Sequence, residues 1–434
     1  MARNLVLGLG GTVDYEIVWD SAVIEGLVAE YDIRAAELTT TAPVDTERAL
    51  VVALLGFLRD GVGGERFVAS SDIVERFAAR FDKRITLGGT PVRAAMAMAV
   101  LGVTCTVHLV SIDDHVRRLL PTTCAYICSA VADTTDPHLI VQYPAGATVR
   151  SGEVDICSPH PNRVILTNDP PNRELVLSDR LSDVLRDADV FMVSGFNVIQ
   201  DPDVLAARLA SLRAHMTALP PGALVYYEDA GYHVPALSRY VRDALVGLVD
   251  VFSLNEDEMQ AYLGRRLDLL DPDEMRLALD ELDAFIGAPT LVVHTKYWSL
   301  ALGTDAAAYS SALIGGITMA SARCCYGDSF TEREYASVAS FPVNAHGAEF
   351  AQEIGRAMAG RVRCVPAYVI DVERPTMIGL GDTFVGGFIA ALARADQRPP
   401  TSRVPLVPSP GQGAATGTAT SITGPGAPDP HDGR

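Results

Sequence analysis

The sequence predicts an α/β protein whose largely parallel sheet is covered by helices on both faces. The main observation is that, from Asp189 onward, apolar runs of strand length alternate with segments of helical periodicity. Such alternation is typical of a parallel sheet with helices on both sides. The first half of the chain is less regular, which predicts a smaller lid or cap domain woven into it. Ligands in this architecture bind beyond the carboxyl ends of the strands.

The individual elements follow from the period of the apolar residues. In the first half, strands are predicted at 5–9, 138–143 and 163–166, and helices at 46–59 and 91–101. In the second half, strands are predicted at 190–194, 224–227, 249–254 and 291–294. The helices between and after these strands are predicted at 201–215, 234–246, 255–263, 272–285 and 383–393.

Composition and charge exclude several classes of function. The chain has 434 residues, of which 48% are hydrophobic and 21% charged, and these values are typical of a globular protein. Its net charge of −19 argues against nucleic-acid binding and against docking on an anionic membrane. The most apolar predicted helix, 91–101, contains Arg93 and is shorter than the ~20 residues that a membrane span needs.

The cysteines indicate a reducing compartment. Their number is seven, their spacing is irregular and no secretory leader is evident, so we expect reduced thiols and a cytoplasmic protein. Cys157 and His160 form half of a zinc-binding pattern, but no second half follows. The last segment, 395–434, is rich in Pro, Gly, Ser, Thr and Ala, which predicts a disordered tail.

The most informative motif is the glycine turn Gly379-Leu380-Gly381-Asp382, which precedes an apolar helix. Glycines permit positive φ and close backbone approach, and the amides at the start of a helix form a ready site for an anion. A carboxylate beside such a site is suited to take a proton from an attacking hydroxyl. The motif therefore indicates phosphoryl transfer to an alcohol, and the alternative is that Asp382 only caps the helix.

Two other nucleotide-binding motifs are absent or incomplete. A P-loop needs a lysine after its second glycine, and neither Lys83 nor Lys296 is so placed. The segment 8–13, GLGGTV, resembles the start of a dinucleotide-binding turn, but Val13 occupies the place of the third glycine. These observations exclude a P-loop enzyme and argue against a dehydrogenase.

The order of several segments resembles one family, the ADP-dependent sugar kinases (glucokinase and phosphofructokinase) of the ribokinase superfamily. The segments that carry the resemblance are Gly88-Gly89-Thr90, Asn162-Arg163-Val164-Ile165, Val193-Ser194-Gly195, Asn255-Glu256-Asp257-Glu258, Val293-His294-Thr295-Lys296 and Gly379-Leu380-Gly381-Asp382. They span roughly residues 4–392 in the family's order. The resemblance implies a ribokinase-like three-layer α/β/α core over 1–394, with a smaller lid inserted in the N-terminal half and drawn from about 13–85 and 136–180.

The resemblance also implies a reaction, in which the β-phosphoryl group of ADP moves to a hexose hydroxyl and AMP is released, as in glycolysis. Asp382 would be the base, and the anion hole would be formed by the backbone amides around Gly379, Leu380 and Gly381. Arg163 is a candidate phosphate clamp, since a guanidinium can bind two phosphate oxygens, although it could equally be an exposed ion-pair partner. His294 is a candidate nucleotide contact, with a packed histidine as the alternative.

The implied cofactor is Mg²⁺, which would be held through water by Asn255 and Glu258 of the Asn-x-x-Glu element. Glu228 resembles the glutamate of a His-x-Glu element that also serves the metal, but the place of the histidine is taken by Tyr226. Asn255 and Glu258 also have the spacing of a helix capping box, and both roles can hold together.

The implied sugar site contains Asp14, Glu65, Gly89 and Thr90. Asp14 stands at the aspartate of the family's Asn-x-Asp element, while Thr90 replaces a longer amide. Glu65 resembles the lid carboxylate with which glucokinases bind glucose. A carboxylate there would repel the phosphate of fructose 6-phosphate, so we expect glucose to be preferred.

Two other functions stay open at this stage. An ATP-dependent carbohydrate kinase of the wider superfamily would share the Gly-x-Gly-Asp site, and a non-catalytic sugar- or nucleotide-binding regulatory protein could keep the fold. The replacements at Tyr226 and Thr90, together with the low-complexity tail, keep the second alternative open. For the enzyme, the expected partners are ADP and a hexose, with no nucleic acid and no membrane, in a monomer or small homo-oligomer.

Overall fold

The computed structural model describes residues 3–372, 375–376, 378–395 and 399–401. Its strands are, in chain order, β1 (Leu5–Gly8), β2 (Thr12–Ile17), β3 (Gly64–Phe67), β4 (Lys83–Gly88), β5 (Thr106–Leu109), β6 (Ala125–Cys128), β7 (His138–Tyr143), β8 (Thr148–Ser151), β9 (Val154–Cys157), β10 (Asn162–Thr167), β11 (Val190–Val193), β12 (Leu224–Glu228), β13 (Val251–Asn255), β14 (Thr290–His294), β15 (Trp298–Gly303) and β16 (Val362–Pro366).

The α-helices of the same residues are α1 (Ser21–Glu30), α2 (Glu47–Asp60), α3 (Ser71–Ala78), α4 (Thr90–Val100), α5 (Asp114–Leu119), α6 (Pro170–Glu174), α7 (Leu181–Leu185), α8 (Pro202–Met216), α9 (Ala236–Leu245), α10 (Glu256–Leu263), α11 (Pro272–Ile286), α12 (Ser310–Tyr326), α13 (Glu332–Val338), α14 (Ala345–Ala357) and α15 (Leu380–Arg394). Among the described residues, no helix combines the length and the apolar character needed to cross a membrane. The predicted disordered tail, 395–434, lies outside the described residues apart from 395 and 399–401.

The main sheet has nine strands in the order β16-β15-β14-β13-β12-β11-β1-β5-β6. The strands from β14 to β6 run parallel, while β15 and β16 pair antiparallel at one edge. The parallel strands therefore end at the same edge of the sheet, where ligands of such folds bind.

Each face of the main sheet has its own apolar core, because side chains alternate along a strand. On one face, Leu7 and Met192 belong to a buried cluster that includes residues of α4, α12 and α15. On the other face, Val6 and Phe191 belong to a cluster that includes residues of α8, α9, α11 and α14. Helices on both faces of a mainly parallel sheet confirm the predicted three-layer α/β/α core.

A second, smaller sheet has the strand order β3-β10-β7-β2-β4. Helices α2 and α3 pack beside it, and their buried side chains belong to the same apolar cluster as its strands. These strands come from both segments predicted to form the lid, and β2 and β4 reach one to three residues beyond the first of them. The domain boundaries themselves stay a prediction.

The helix that follows the glycine turn begins earlier than the sequence pattern predicts. It starts at Leu380, because Gly379 adopts a left-handed conformation with φ of 65° and acts as the N-cap. Asp382 is the third helical residue, so the alternative in which it caps the helix is wrong. Its carboxylate does not cap the helix and is therefore available to groups beside the first turn of α15.

Candidate active site

A cleft of about 300 Å³ brings together residues from the main sheet, the second sheet and α15. Seven of the predicted site residues line it, namely Asp14, Glu65, Gly89, Thr90, Arg163, Gly379 and Asp382. They are separated by up to 368 positions along the chain (14 to 382), and the fold brings residues of the second sheet, the main sheet and α15 around one space. Leu380 and Gly381 follow in the first turn of α15.

The carboxylate of Asp382 lies in the wall of this cleft with about a quarter of its side chain exposed. Its Oδ1 accepts a hydrogen bond of 2.8 Å from the hydroxyl of Thr90, at the first position of α4. The first amides of α15 have no acceptor within the helix, so an anion at this end of the helix would meet free N–H donors and the positive end of the helix dipole. The turn thus combines an anion site with a proton acceptor.

The glycine at 379 is required by its surroundings as well as by its backbone. A Cβ atom added to Gly379 would lie 2.8 Å from Cδ of Arg93. The guanidinium of Arg93 is 3% exposed, and its Nη2 donates to Oδ2 of Asp14 at 2.8 Å. Its Nε lies 3.8 Å from Oδ2 of Asp382. A buried cation therefore lies between the predicted sugar carboxylate and the predicted base.

The sugar side of the cleft is formed by β2, β3 and the turn between β4 and α4. Asp14 is 4% exposed, and its Oδ1 also accepts from the hydroxyl of Thr12 at 2.7 Å. Gly89 has φ of 83° and is the N-cap of α4, and Thr90, the first residue of that helix, also lines the cleft. On β3, Glu65 lies with one carboxylate oxygen 3.4 Å from Nε2 of His233, a residue of the loop after β12.

The cleft also contains two cationic side chains that the sequence pattern did not reveal. Arg173 and His138 line it together with the predicted Arg163. Burial alone would lower the pKa of His138, but a hydrogen bond of 3.0 Å to Asp169 and the charge of that carboxylate outweigh it and raise the pKa to about 9. His138 is therefore a cation at neutral pH. The sequence around a single histidine in a strand does not reveal that a distant carboxylate such as Asp169 will pair with it.

The predicted metal and nucleotide residues lie apart from the lining of this cleft. Glu228, at the end of β12, is 5% exposed. Its Oε1 is 2.9 Å from Nε2 of His294 and its Oε2 accepts from the hydroxyl of Tyr226 at 3.1 Å. The ring of His294 stacks on Phe384 with centroids 4.5 Å apart. His294 thus packs beneath the first turns of α15, and a role as a nucleotide contact stays a prediction.

Asn255 and Glu258 form the capping box that their spacing predicts. The backbone N–H of Asn255 donates to Oε2 of Glu258 at 2.7 Å, and its side-chain amide donates to Oε1 at 2.8 Å. Burial, together with the charges of Asp229 and Glu228, raises the pKa of Glu258 to about 8. Asp229 itself is buried, and burial raises its pKa to about 6. Three carboxyl groups are thus crowded at the ends of β12 and β13.

These residues fit Mg²⁺ in their chemistry, since their donors are the carboxylate and amide oxygens that this ion prefers. The raised pKa values of Asp229 and Glu258 show that negative charge is unfavourable in this cluster. A divalent cation bound there would offset that charge. Within the described ranges, no three His, Cys, Asp or Glu side chains are arranged to enclose a metal. Mg²⁺ usually keeps several waters, so the fit is to an ion held through water rather than in a direct protein cage.

Comparison with known proteins supports the assignment to the ADP-dependent sugar kinases. A family model described as the ADP-specific Phosphofructokinase/Glucokinase conserved region matches residues 3–283. Among curated proteins, no significant match was found.

Solved structures of similar fold cover nearly the whole chain. A phosphofructokinase from Pyrococcus horikoshii OT3 with AMP is 16% identical, with a TM-score of 0.76 over 90% of this chain and 98% of that one. A last common ancestor of ADP-dependent phosphofructokinases from Methanosarcinales is 16% identical, with a TM-score of 0.71 over 92% and 95%. An ADP-dependent kinase in complex with fructose-6-phosphate and ADPbetaS is 15% identical, with a TM-score of 0.66 over 92% and 95%.

The structural likeness, at such low identity, establishes the fold, and the family match covers about two thirds of the chain. The matched range, 3–283, includes four of the six ordered segments, and those at 293–296 and 379–382 lie outside it. This protein belongs to the ADP-dependent phosphofructokinase/glucokinase family and is a sugar kinase.

Proposed function

We propose that the protein transfers the β-phosphoryl group of ADP to a hydroxyl of a hexose, preferably glucose, and releases AMP in the glycolysis of a cytoplasmic compartment. The observation that carries this proposal is the position of Asp382. Its carboxylate opens into a cleft between lid and core, directly beside the free amides at the start of α15.

In this reaction a bond forms between the sugar oxygen and the β-phosphorus, and the bond from that phosphorus to the oxygen bridging the two phosphates breaks. Asp382 takes the proton of the attacking hydroxyl, and AMP leaves with the bridging oxygen. The amides of Gly379 to Asp382 stabilise the charge on the transferred group. Arg163, on β10, lines the same cleft, and its guanidinium would bind phosphate oxygens there.

The lid contributes by excluding water. Residues from the lid strands and from the core line the same cleft, so a sugar bound there would be enclosed by both. Enclosure strengthens electrostatic interactions, holds the hydroxyl in line with the phosphorus and prevents hydrolysis of ADP. Mg²⁺, held through water by Glu228, Asn255 and Glu258, would supply charge neutralisation for the phosphates of ADP.

The preference for glucose rests on Glu65. Its carboxylate faces the cleft and can accept hydrogen bonds from sugar hydroxyls, while it would repel a sugar phosphate. A second acceptor, fructose 6-phosphate, is favoured by the cations Arg163, Arg173 and His138 in the same cleft. Glucose is the preferred acceptor if Glu65 dominates the binding of the sugar. Fructose 6-phosphate is preferred if the three cations dominate it.

The test is an assay of purified protein with Mg²⁺, either ADP or ATP, and either glucose or fructose 6-phosphate. We expect AMP and glucose 6-phosphate from ADP and glucose. Replacing Glu65 with Ala should lower kcat/KM for glucose by about 10- to 100-fold and raise the relative rate with fructose 6-phosphate, since one lost polar contact to a sugar is worth ~1.5–3 kcal/mol.

Other outcomes of this assay assign the rival functions. Turnover with ATP alone would identify an ATP-dependent carbohydrate kinase. Ligand-induced thermal stabilisation without turnover would identify a binding or regulatory protein.

Glu153→Ala is a matched control for Glu65→Ala, because Glu153 is an exposed residue of the turn between β8 and β9 and is not among those that line the cleft.

A further inference from the structure

Arg93 is a buried charged residue beside Asp382 that the proposed reaction does not use. It lies on the otherwise apolar face of α4, with 3% of its side chain exposed. A buried guanidinium is costly unless acidic groups surround it. Nη2 of Arg93 donates a hydrogen bond to Asp14 at 2.8 Å. Its Nε lies 3.8 Å from Asp382, and its Nη1 lies 3.9 Å from Asp328. These three contacts come from β2, from α15 and from the segment after α12.

The remaining charges around Asp382 belong to the same network. Arg323 on α12 pairs with Asp328 at 2.6 Å and donates to the carbonyl of Ile378, just before the glycine turn, at 2.9 Å. Arg84 on β4 pairs with Glu16 at 2.5 Å and with Asp328 at 3.1 Å. On the other side of the turn, His294 packs beside Gly381. Within this network, Arg93 is the cation that lies against both Asp14 and Asp382.

We propose that Arg93 is a positioning residue that holds the sugar-binding carboxylate of Asp14 and the base Asp382 at a fixed separation, so that the acceptor hydroxyl is presented to the base. The inference rests on the proposed phosphoryl transfer. It assigns to α4 a role in catalysis that acts through two residues of other elements.

The geometry explains why an arginine is suited to this position. Two carboxylates facing one small cleft repel each other, and a cation between them removes that repulsion. A guanidinium spreads its charge over a rigid planar group. Nη2 of Arg93 can therefore hydrogen-bond Asp14 while Nε lies at ion-pair distance from Asp382, whereas a lysine ammonium is a single flexible point charge. The absence of a side chain at Gly379 lets the arginine stem pass directly beneath the turn.

The test compares Arg93→Met with Arg84→Met. Arg84 is a matched control, because it belongs to the same ion-pair network through Asp328 but its ion pairs are with Glu16 and Asp328 rather than with Asp14 or Asp382. We expect Arg93→Met to lower kcat about 100-fold, as an ångström-scale misplacement of reacting groups does, with the Kd for ADP within about twofold of wild type. Arg84→Met should keep kcat within about threefold.

A double-mutant cycle separates positioning from a general structural effect. If Arg93 acts through the base, adding Arg93→Met to Asp382→Asn should lower the residual turnover by less than about threefold, because effects of residues that act as a unit are not additive. A further loss of about 100-fold in the Asp382→Asn background would overturn the inference.

Arg93→Lys covers the case in which Arg93→Met fails to fold. It keeps the charge without the planar guanidinium, so a folded protein with a kcat about 10-fold below wild type is expected, and wild-type kcat in this variant would contradict the proposal. Wild-type protein that turns over no sugar with any nucleotide would remove the proposed function and this inference together. An active wild type with an unaffected Arg93→Met variant would remove the inference alone.

Discussion

The two halves of the predicted site, the sugar side and the metal side, differ in how their acidic groups are satisfied. On the sugar side, Asp382 and Glu65 line the cleft that residues of the main sheet, the second sheet and α15 enclose. On the metal side, Glu228 is buried and Glu258 is half-buried, and both already accept hydrogen bonds from neighbouring protein groups. One half presents its carboxylates to the cleft, and the other half holds them in a network of hydrogen bonds within the protein.

This difference shows how much the same residue type depends on its neighbours. The carboxyl ends of β12 and β13 bring Glu228, Asp229 and Glu258 together, and burial with mutual repulsion raises the pKa values of Asp229 and Glu258. Near Asp382, in contrast, the buried cation Arg93 offsets the negative charge. Apart from His294 beside Glu228, the metal side is a cluster of acidic groups, and a bound cation or protons would balance its charge.

The largest effect is expected when the sugar side loses its base. Asp382→Asn keeps the shape of the side chain but cannot accept the proton, so turnover should fall by about 10³- to 10⁴-fold. The Kd for ADP, measured by calorimetry, should stay within about twofold. Asp203→Asn, which changes an exposed first-turn aspartate of α8, is the matched control and should leave turnover unchanged. Near-normal turnover in Asp382→Asn would mean that another group is the base.

A smaller effect is expected when the metal side is altered. Glu228→Gln removes one buried charge from the acidic cluster while keeping a hydrogen-bond acceptor for His294. The Mg²⁺ concentration for half-maximal turnover should rise about 10- to 100-fold, the usual cost of altering groups around a metal. Asp257→Asn, on the exposed side of the same helix start as Glu258, should leave it unchanged. Equal Mg²⁺ dependence in Glu228→Gln and wild type would place the ion elsewhere.

The smallest effect concerns the cation in the cleft and appears as a pH dependence of stability. The pKa of His138 is raised to about 9 in the folded protein, against about 6.5 in an unfolded chain, so folding takes up a proton between these values. Its contribution is therefore complete below about pH 6.5 and is lost as the pH rises through about 9. His138→Gln should lower the free energy of unfolding by about 2 kcal/mol at pH 6, and by much less at pH 10.

Urea unfolding of His138→Gln and wild type at pH 6, 8 and 10 measures this difference. The exposed His346 on α14 provides the control, and His346→Gln should follow wild type at each pH. A difference between His138→Gln and wild type that does not change with pH would mean that the pair with Asp169 contributes no titrating charge.

Much of the core fold was predictable because it depends on local pattern. The strands β11 to β14 and the helices α8 and α11 lie within a few residues of their predicted bounds, since each is a regular run of apolar residues with clear boundaries. The start of α15 was misplaced by three residues, because the left-handed conformation of Gly379 allows the helix to begin at once. A pattern of apolar residues does not contain that information.

The site residues also differ in whether a local sequence pattern identifies them. Gly379 to Asp382 and the capping box of Asn255 and Glu258 are contiguous motifs, so their spacing along the chain is enough to identify them. Arg93 gave one signal, a charge inside an apolar helix, but nothing in the sequence indicated its partners. His138 and Asp169 gave none, because their contact depends on how β7 meets the loop before α6.

By itself, the sequence determined the layered α/β core, the glycine turn with its carboxylate and the family to which the chain belongs. These depend on residues that are neighbours along the chain, where spacing is enough to decide period, capping and backbone freedom. Only the tertiary structure decided that Asp14, Arg93 and Asp382 meet, that Glu65 faces the cleft and that Glu228 is enclosed with His294. Those contacts join residues tens to hundreds of positions apart, and their distances and burial are set by the packing of the two sheets and their helices against one another.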